Sequence, residues 1–294
     1  MANKPNEQEL RQQKTAEAVS KTELFFQKNA KLIYGCVAAV LVIALAILAY
    51  NRFIYQPKKA EAQKEMFKAE QKFAAGDFEL ALNGDDNNMG FEEIISTYGK
   101  KAGEAVYLYA GGSALQTGDF EKAIKYFKKY AGEDKILLSR AQAGIGDAYV
   151  GLEDYKNALA AYEKAAATAD NLFAAGYLLK AGQVAEELGD KDKALKYFKK
   201  YAGEDKILLS RAQAGIGDAY VGLEDYKNAL AAYEKAAATA DNLFAAGYLL
   251  KAGQVAEELG DKDKALACYK KIKDQYPQAV EAADIDKYIT RIEF

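Results

Sequence analysis

Residues 125–195 and 196–266 are the same 71 residues, letter for letter. Each copy reads KYFKKYAGEDKILLSRAQAGIGDAYVGLEDYKNALAAYEKAAATADNLFAAGYLLKAGQVAEELGDKDKAL. A fixed period marks an array, in which a supersecondary unit stacks on its neighbour to bury a face that it cannot bury alone. A shared fold asks for similar residues at key positions. Identity at all 71 points instead to recent duplication, or to a chain assembled by design. Removing one copy leaves 223 residues.

Each block holds two shorter units. Counting from Ser139, Ile145, Gly146 and Tyr149 fall on one helix, Asp154 and Tyr155 on a turn, and Ala158 and Tyr162 on the next helix. The frame starting at Glu104 places Tyr107, Gly111, Gly118-Asp119-Phe120, Ala123 and Phe127. The frame at Ala175 places Gly182, Gly189-Asp190, Ala194 and Phe198. The duplicate supplies starts at Ser210 and Ala246, the last with Pro277 at its end, so the starts step by 35 and 36 residues. Small residues at Gly146, Ala158 and Ala165 let helices approach, and Tyr149, Tyr155 and Tyr162 fill the gaps. Half of the residues are hydrophobic and only 3 are proline, which suits an all-helical chain. Apart from a missing Trp, the frame resembles the tetratricopeptide repeat (TPR). That resemblance implies an all-α fold, a TPR α-solenoid formed as a right-handed superhelix of helix–turn–helix pairs.

Residues 62–82 repeat the first helix and turn, with Gly76-Asp77-Phe78 and Ala81, before the stretch NGDDNNMG interrupts the second helix. The expected organisation is a polar N-terminal tail over 1–31, a transmembrane helix over 32–51, and a linker with a degenerate first repeat over 52–103. Five repeat units over 104–279 and a C-terminal capping helix over 280–294 complete it.

The membrane assignment rests on the stretch between Lys31 and Arg52, which carries no charge over 20 residues. At about 1.5 Å per residue this spans roughly 30 Å, the thickness of a bilayer's hydrocarbon core. Tyr34, Tyr50, Phe53 and Tyr55 lie near its ends, as interfacial aromatics do. A long polar stretch precedes it, and no small-residue cleavage site follows a short apolar core, so an uncleaved anchor is expected rather than a signal peptide. Cys36 lies at the start of the apolar run, which argues against a lipoprotein signal. One Gly and no Ser or Thr leave no face for close helix pairing. Lys21, Lys28 and Lys31 flank one end and Arg52, Lys58, Lys59 and Lys64 the other, a slight excess that by itself favours a cytoplasmic C-terminal side.

The stretch AEAVSKTELFFQKNAKLIYG leading into the apolar segment, followed by the repeats, resembles the YfgM-type family of membrane-anchored bacterial TPR proteins. The segment GDFELALNGDD…GFEEIISTYGKKAG is similar to Bacteroidetes-type relatives. The resemblance implies a single-pass inner-membrane protein with a cytoplasmic N-terminus and a periplasmic TPR domain. It also implies protein partners at the Sec translocon or among periplasmic chaperones. The identical second block exceeds the length that this family implies.

Chemistry is sparse. The chain has no His, which removes the commonest general acid–base residue and metal ligand. Cys36 and Cys268 lie in different segments and form no disulfide framework. Gly144-Ile145-Gly146 lacks the third glycine and the preceding strand of a dinucleotide loop. Asp85, Asn87 and Gly90 hint at a calcium loop, but its twelfth position is Ser96 where a bidentate Glu is needed. Net charge is −3, with no basic stripe for nucleic acid. The expectation is a non-enzyme without cofactor, metal or small-molecule substrate, a scaffold that binds a polypeptide.

In the TPR resemblance the first helix of each unit lines a concave groove. That places Leu108, Leu115, Arg140, Asp147, Leu179, Gln183 and Glu186 on it, and Arg211, Asp218, Leu250, Gln254 and Glu257 from the duplicate. Gly112, Asp147, Gln183, Asp218 and Gln254 occupy the position where some TPR proteins use Asn to clamp a peptide's terminal carboxylate, so an acidic C-terminal peptide is a poor ligand. The alternating Arg and Asp also read as salt bridges between repeats. A competing account makes the chain a recently duplicated or designed structural repeat whose extra units have no ligand of their own.

Overall fold

The computed structural model describes residues 7–169, 171–201, 205–240 and 244–293. The first six residues of the expected tail and the last of the expected cap therefore lie outside the described residues. The chain divides into two units, Met1–Ala62 and Gln63–Phe294.

In the first unit, α1 (Glu7–Tyr50) is one helix, without a break where tail and apolar segment were expected to meet. A π-helical turn, Asn51–Tyr55, follows. The helix is long and apolar enough to cross a membrane, by length and composition. Its apolar side chains lie open: Leu32 is 68% exposed and Val40 65%. A helix α2 (Gln56–Ala74) carries residues of both units.

The second unit is a stack of helix pairs. After α2 come α3 (Phe78–Asn83) and α4 (Phe91–Tyr98). Five pairs follow: α5 (Ala105–Gln116) with α6 (Phe120–Lys129), α7 (Lys135–Gly151) with α8 (Tyr155–Thr168), α9 (Asn171–Glu187) with α10 (Lys191–Lys200), α11 (Lys206–Gly222) with α12 (Tyr226–Ala240), and α13 (Phe244–Glu258) with α14 (Lys262–Gln275). The last helix, α15 (Ile285–Glu293), packs on α14. The joint between the identical blocks, Leu195 to Lys196, lies inside α10, so the stack passes through it without a break.

One local rule makes every pair. At each turn an Asp accepts a hydrogen bond from the backbone N–H three residues on, satisfying an orphan donor of the second helix. Asp119 does so for Lys122 at 3.2 Å, Asp154 for Asn157 at 3.1 Å, Asp190 for Lys193 at 3.0 Å, and Asp261 for Lys264 at 3.0 Å. The residue before each Asp has positive φ. It is Gly118, Gly189 and Gly260 in three turns, but Glu153 (φ 57) and Glu224 (φ 59) in the other two, where a Cβ is a burden.

Aromatic rings of the second helices set the spacing. Phe127 of α6 fits between Gly111 of α5 and Gly144 of α7: a Cβ at either would stand 2.7 or 2.5 Å from its ring. Tyr162 of α8 covers Gly146 in the same way, at 2.6 Å. First helices of successive units thus come into direct contact, α5 with α7, α7 with α9 and α9 with α11. The core between them is rich in alanine, with Ala158, Ala165, Ala194, Ala229 and Ala265 fully buried.

The interrupted first repeat differs from the plain loop expected. Gly84–Asp85 and Asn88–Met89 pair as a two-residue antiparallel hairpin. Asp85 Oδ1 accepts from the Asn87 N–H and from Asn88 Nδ2, each at 2.9 Å, which ties the turn with side-chain oxygen. At Gly84 (φ +81) a Cβ would stand 2.5 Å from both Asn88 O and Gly90 N. The residues that hinted at a calcium loop are thus occupied in holding a turn.

Candidate partner-binding face

The first helices α5, α7, α9, α11 and α13 present one face, and cavities open along it. Between α5 and α7 a trough of about 470 Å³ is lined by Leu108, Tyr109, Leu115, Phe127, Arg140 and Asp147. Between α9 and α11 lie two smaller spaces. One, of about 460 Å³, takes Phe173, Leu179, Gln183, Leu208 and Arg211. The other, of about 250 Å³, takes Gln183, Glu186, Arg211, Asp218, Tyr248 and Lys251. A space of about 620 Å³ beyond α13 is lined by Tyr248, Leu250, Gln254, Ala279, Val280 and Glu281.

Eleven of the twelve groove residues named from the sequence line these spaces. Leu179 is also a core residue, 6% exposed. Glu257 lines none of them. Its Oε1 accepts from the Tyr269 hydroxyl at 2.5 Å and from Arg291 Nη2 of α15 at 2.6 Å.

The expected Arg–Asp salt bridges are replaced by a different network. Asp147 Oδ1 accepts from Lys180 Nζ of α9 at 2.5 Å and from the Tyr162 hydroxyl at 2.6 Å. The duplicate repeats this, Asp218 with Lys251 at 2.6 Å and with Tyr233 at 2.7 Å. The reason is register. Lys lies 33 residues after Asp, which is nearly one repeat, so it reaches back to the preceding first helix. Burial, with Asp147's charge beside it, pushes the Tyr162 hydroxyl well above the usual tyrosine range. Burial and the bond to Asp218 do the same at Tyr233, so both stay donors. Lys180 and Lys251 were missed in the sequence. Their near-repeat spacing from an Asp is the signal that could have found them.

Arg140 and Arg211 are exposed and make no ion pair among the described residues. The Arg140 guanidinium lies 5.9 Å from the Phe173 ring centroid.

Glu186 is the electrostatic exception on this face. Burial pushes its carboxyl up to about 7, and Asp218 adds to the shift while Lys191 and Lys251 oppose it. Its counterpart 71 residues on, Glu257, holds Tyr269 and Arg291. Glu186 makes neither bond, because Phe198 stands where Tyr269 does, and the nearby charge that acts on it most strongly is that of Asp218. Identical sequence thus meets unlike neighbours. Among the described residues no group of three or more His, Cys, Asp or Glu is placed to hold a metal ion.

Family models described as tetratricopeptide repeat match residues 144–206 and 215–280, and another matches 105–135. No curated protein matches the chain. Several solved structures share the fold. YrrB, a TPR protein with an unusual peptide-binding site, is 21% identical with a TM-score of 0.52, over 67% of this chain and 97% of that one. PilW, a type IV pilus biogenesis factor, is 15% identical with a TM-score of 0.54, over 76% and 97%. The pilF protein of Pseudomonas aeruginosa is 16% identical with a TM-score of 0.52, over 78% and 98%. At these identities the likeness is one of fold. With the helix pairs, their turn chemistry and matches over more than half of its length, the chain belongs to the tetratricopeptide-repeat family.

Proposed function

We propose that the protein is a membrane-anchored adaptor that holds a polypeptide partner along the face of α5, α7, α9, α11 and α13. The observation that carries this is the run of cavities on that one face, each combining apolar floor with Arg, Lys or Asp at its rim. Concave surfaces with a few placed polar groups are where ligands seat, and stacked repeats offer such a surface over a long span. The peptide-binding site named for YrrB is compatible with this use of the fold.

The anchor is α1, whose apolar stretch lies exposed and passes the length and composition test for a span. In this reading the N-terminus is cytoplasmic and the repeats are periplasmic, with partners at the Sec translocon or among periplasmic chaperones. Protease added to spheroplasts should then digest residues 60–294. Protection of that region would refute the periplasmic placement. Crosslinking in membranes followed by capture of the chain should recover a protein partner, and recovery of none above background would refute the adaptor role.

A second reading is favoured by one observation. Gln183 and Glu186 interrupt the apolar floor at the duplicated junction. In that reading the added block only lengthens the solenoid. Equal partner binding by the 294-residue chain and by a 223-residue deletion of one block would support it.

A further inference from the structure

The two identical blocks build identical walls but unlike pockets. Arg140, Asp147, Tyr177 and Lys180 line the trough between α5 and α7. Their duplicates Arg211, Asp218, Tyr248 and Lys251 line the small space between α9 and α11. The opposite wall comes from the preceding first helix, and there the sequence differs. α5 contributes Leu108, Tyr109 and Leu115 to the first, whereas at the matching positions α9 carries Leu179, Lys180 and Glu186, with Gln183 in place of Gly112.

Two consequences follow. In the first gap the floor is one apolar trough of about 470 Å³, with Phe127 and Leu137 continuing it. In the second gap Gln183 and Glu186 divide the floor, leaving an apolar half and a polar half of about 250 Å³. The charges differ as well. Around the first trough Asp147 is taken up by Lys180, and Arg140 remains without an ion pair among the described residues. In the second, Asp218 is likewise taken up by Lys251 and Arg211 likewise has no ion pair among the described residues, but Glu186 lines the space with them.

We propose that the gap between α5 and α7 is a selective subsite for a partner segment carrying a large apolar side chain next to a carboxylate, and that the duplicated gap is not a second such site. The apolar side chain enters the trough and the carboxylate pairs with Arg140. At the second gap the same ligand meets a floor divided by two polar side chains, Gln183 and Glu186, which discriminates against its apolar side chain. Duplication has copied half of a pocket, because each pocket is shared by two repeats and its other half lies outside the copied pair. This rests on the groove reading above.

The test uses the full chain in detergent and three fluorescent ten-residue peptides. These carry Glu-Phe-Leu-Glu, Lys-Phe-Leu-Lys or Glu-Gly-Ser-Glu in a Gly-Ser frame. The first should bind best, at one per chain. Leu115→Glu, which gives the first gap the residue that the second already tolerates, should weaken it by about tenfold or more. Gln183→Gly with Glu186→Leu should raise the stoichiometry to two, and this gain does not depend on how well the Leu115 variant folds. Two bound peptides per wild-type chain, or equal binding of the Lys-framed peptide, would overturn the subsite while leaving the groove reading intact. No binding by any of the three, or binding that crosslinks only outside the first helices, would overturn both.

Discussion

Glu186→Gln is expected to stabilise the protein at pH 8 and to leave it unchanged at pH 4. Burial and Asp218 raise the Glu186 carboxyl from 4.5 to about 7 in the folded chain. Between those values the unfolded chain has released its proton and the folded chain retains it. Stability therefore falls as pH rises through that window and is fully reduced above it. The whole shift corresponds to about 3 kcal/mol. Glu186 is only half-buried, and solvent screening brings the expected gain from removing its charge to about 1–2 kcal/mol. Glu257→Gln supplies the opposite sign at the same repeat position. Its carboxylate holds Arg291 and the Tyr269 hydroxyl, and losing the charge in those bonds should cost about 1 kcal/mol at pH 8. Urea denaturation of both variants, followed by circular dichroism at pH 4 and pH 8, reads the two signs. A destabilised or unchanged Glu186→Gln at pH 8 would refute the argument that burial and Asp218 outweigh Lys191 and Lys251 at this carboxylate.

Three other outcomes follow from the fold. Glu153→Gly and Glu224→Gly each relieve a left-handed backbone position and should raise stability by about 0.5–1 kcal/mol after the added chain entropy of glycine, measured by urea midpoint. Gly146→Ala drives a Cβ to 2.6 Å from the Tyr162 ring and should cost about 1–3 kcal/mol, seen as a lower thermal midpoint. Ser113 Oγ is buried with no hydrogen-bond partner among the described residues, and matching repeats carry Ala148 or Val184 there, so Ser113→Ala should be neutral or stabilise by about 1 kcal/mol.

The repeat frame was legible because its residues act locally. Asp119, Asp154 and Asp190 cap helices wherever they occur, and Gly111, Gly144 and Gly146 admit a ring from the next helix. The groove residues were legible as positions on first helices, since a period near 35 returns them to one side. Their partners were not. That Asp147 would bind Lys180 rather than Arg140 depends on the rise of the stack, which brings a residue 33 positions on into reach. The fate of Glu257 depends on α15, whose Arg291 lies outside any repeat. The hairpin at Gly84–Met89 turned on side-chain bonds of Asp85, invisible in a period that the insertion had broken. Identity of sequence therefore predicted identity of fold but not of surroundings, because half of every pocket belongs to a neighbour.

The claim that the first helices form the partner-binding face is tested most directly by a photo-crosslinking amino acid placed in the full chain in native membranes. Gln183 and Gln254 are exposed on that face, and Lys156 and Lys235 are exposed on the second helices. The account predicts polypeptide adducts from Gln183 and Gln254 and none above background from Lys156 and Lys235. Adducts from the second-helix positions alone, or equally from all four, would contradict it.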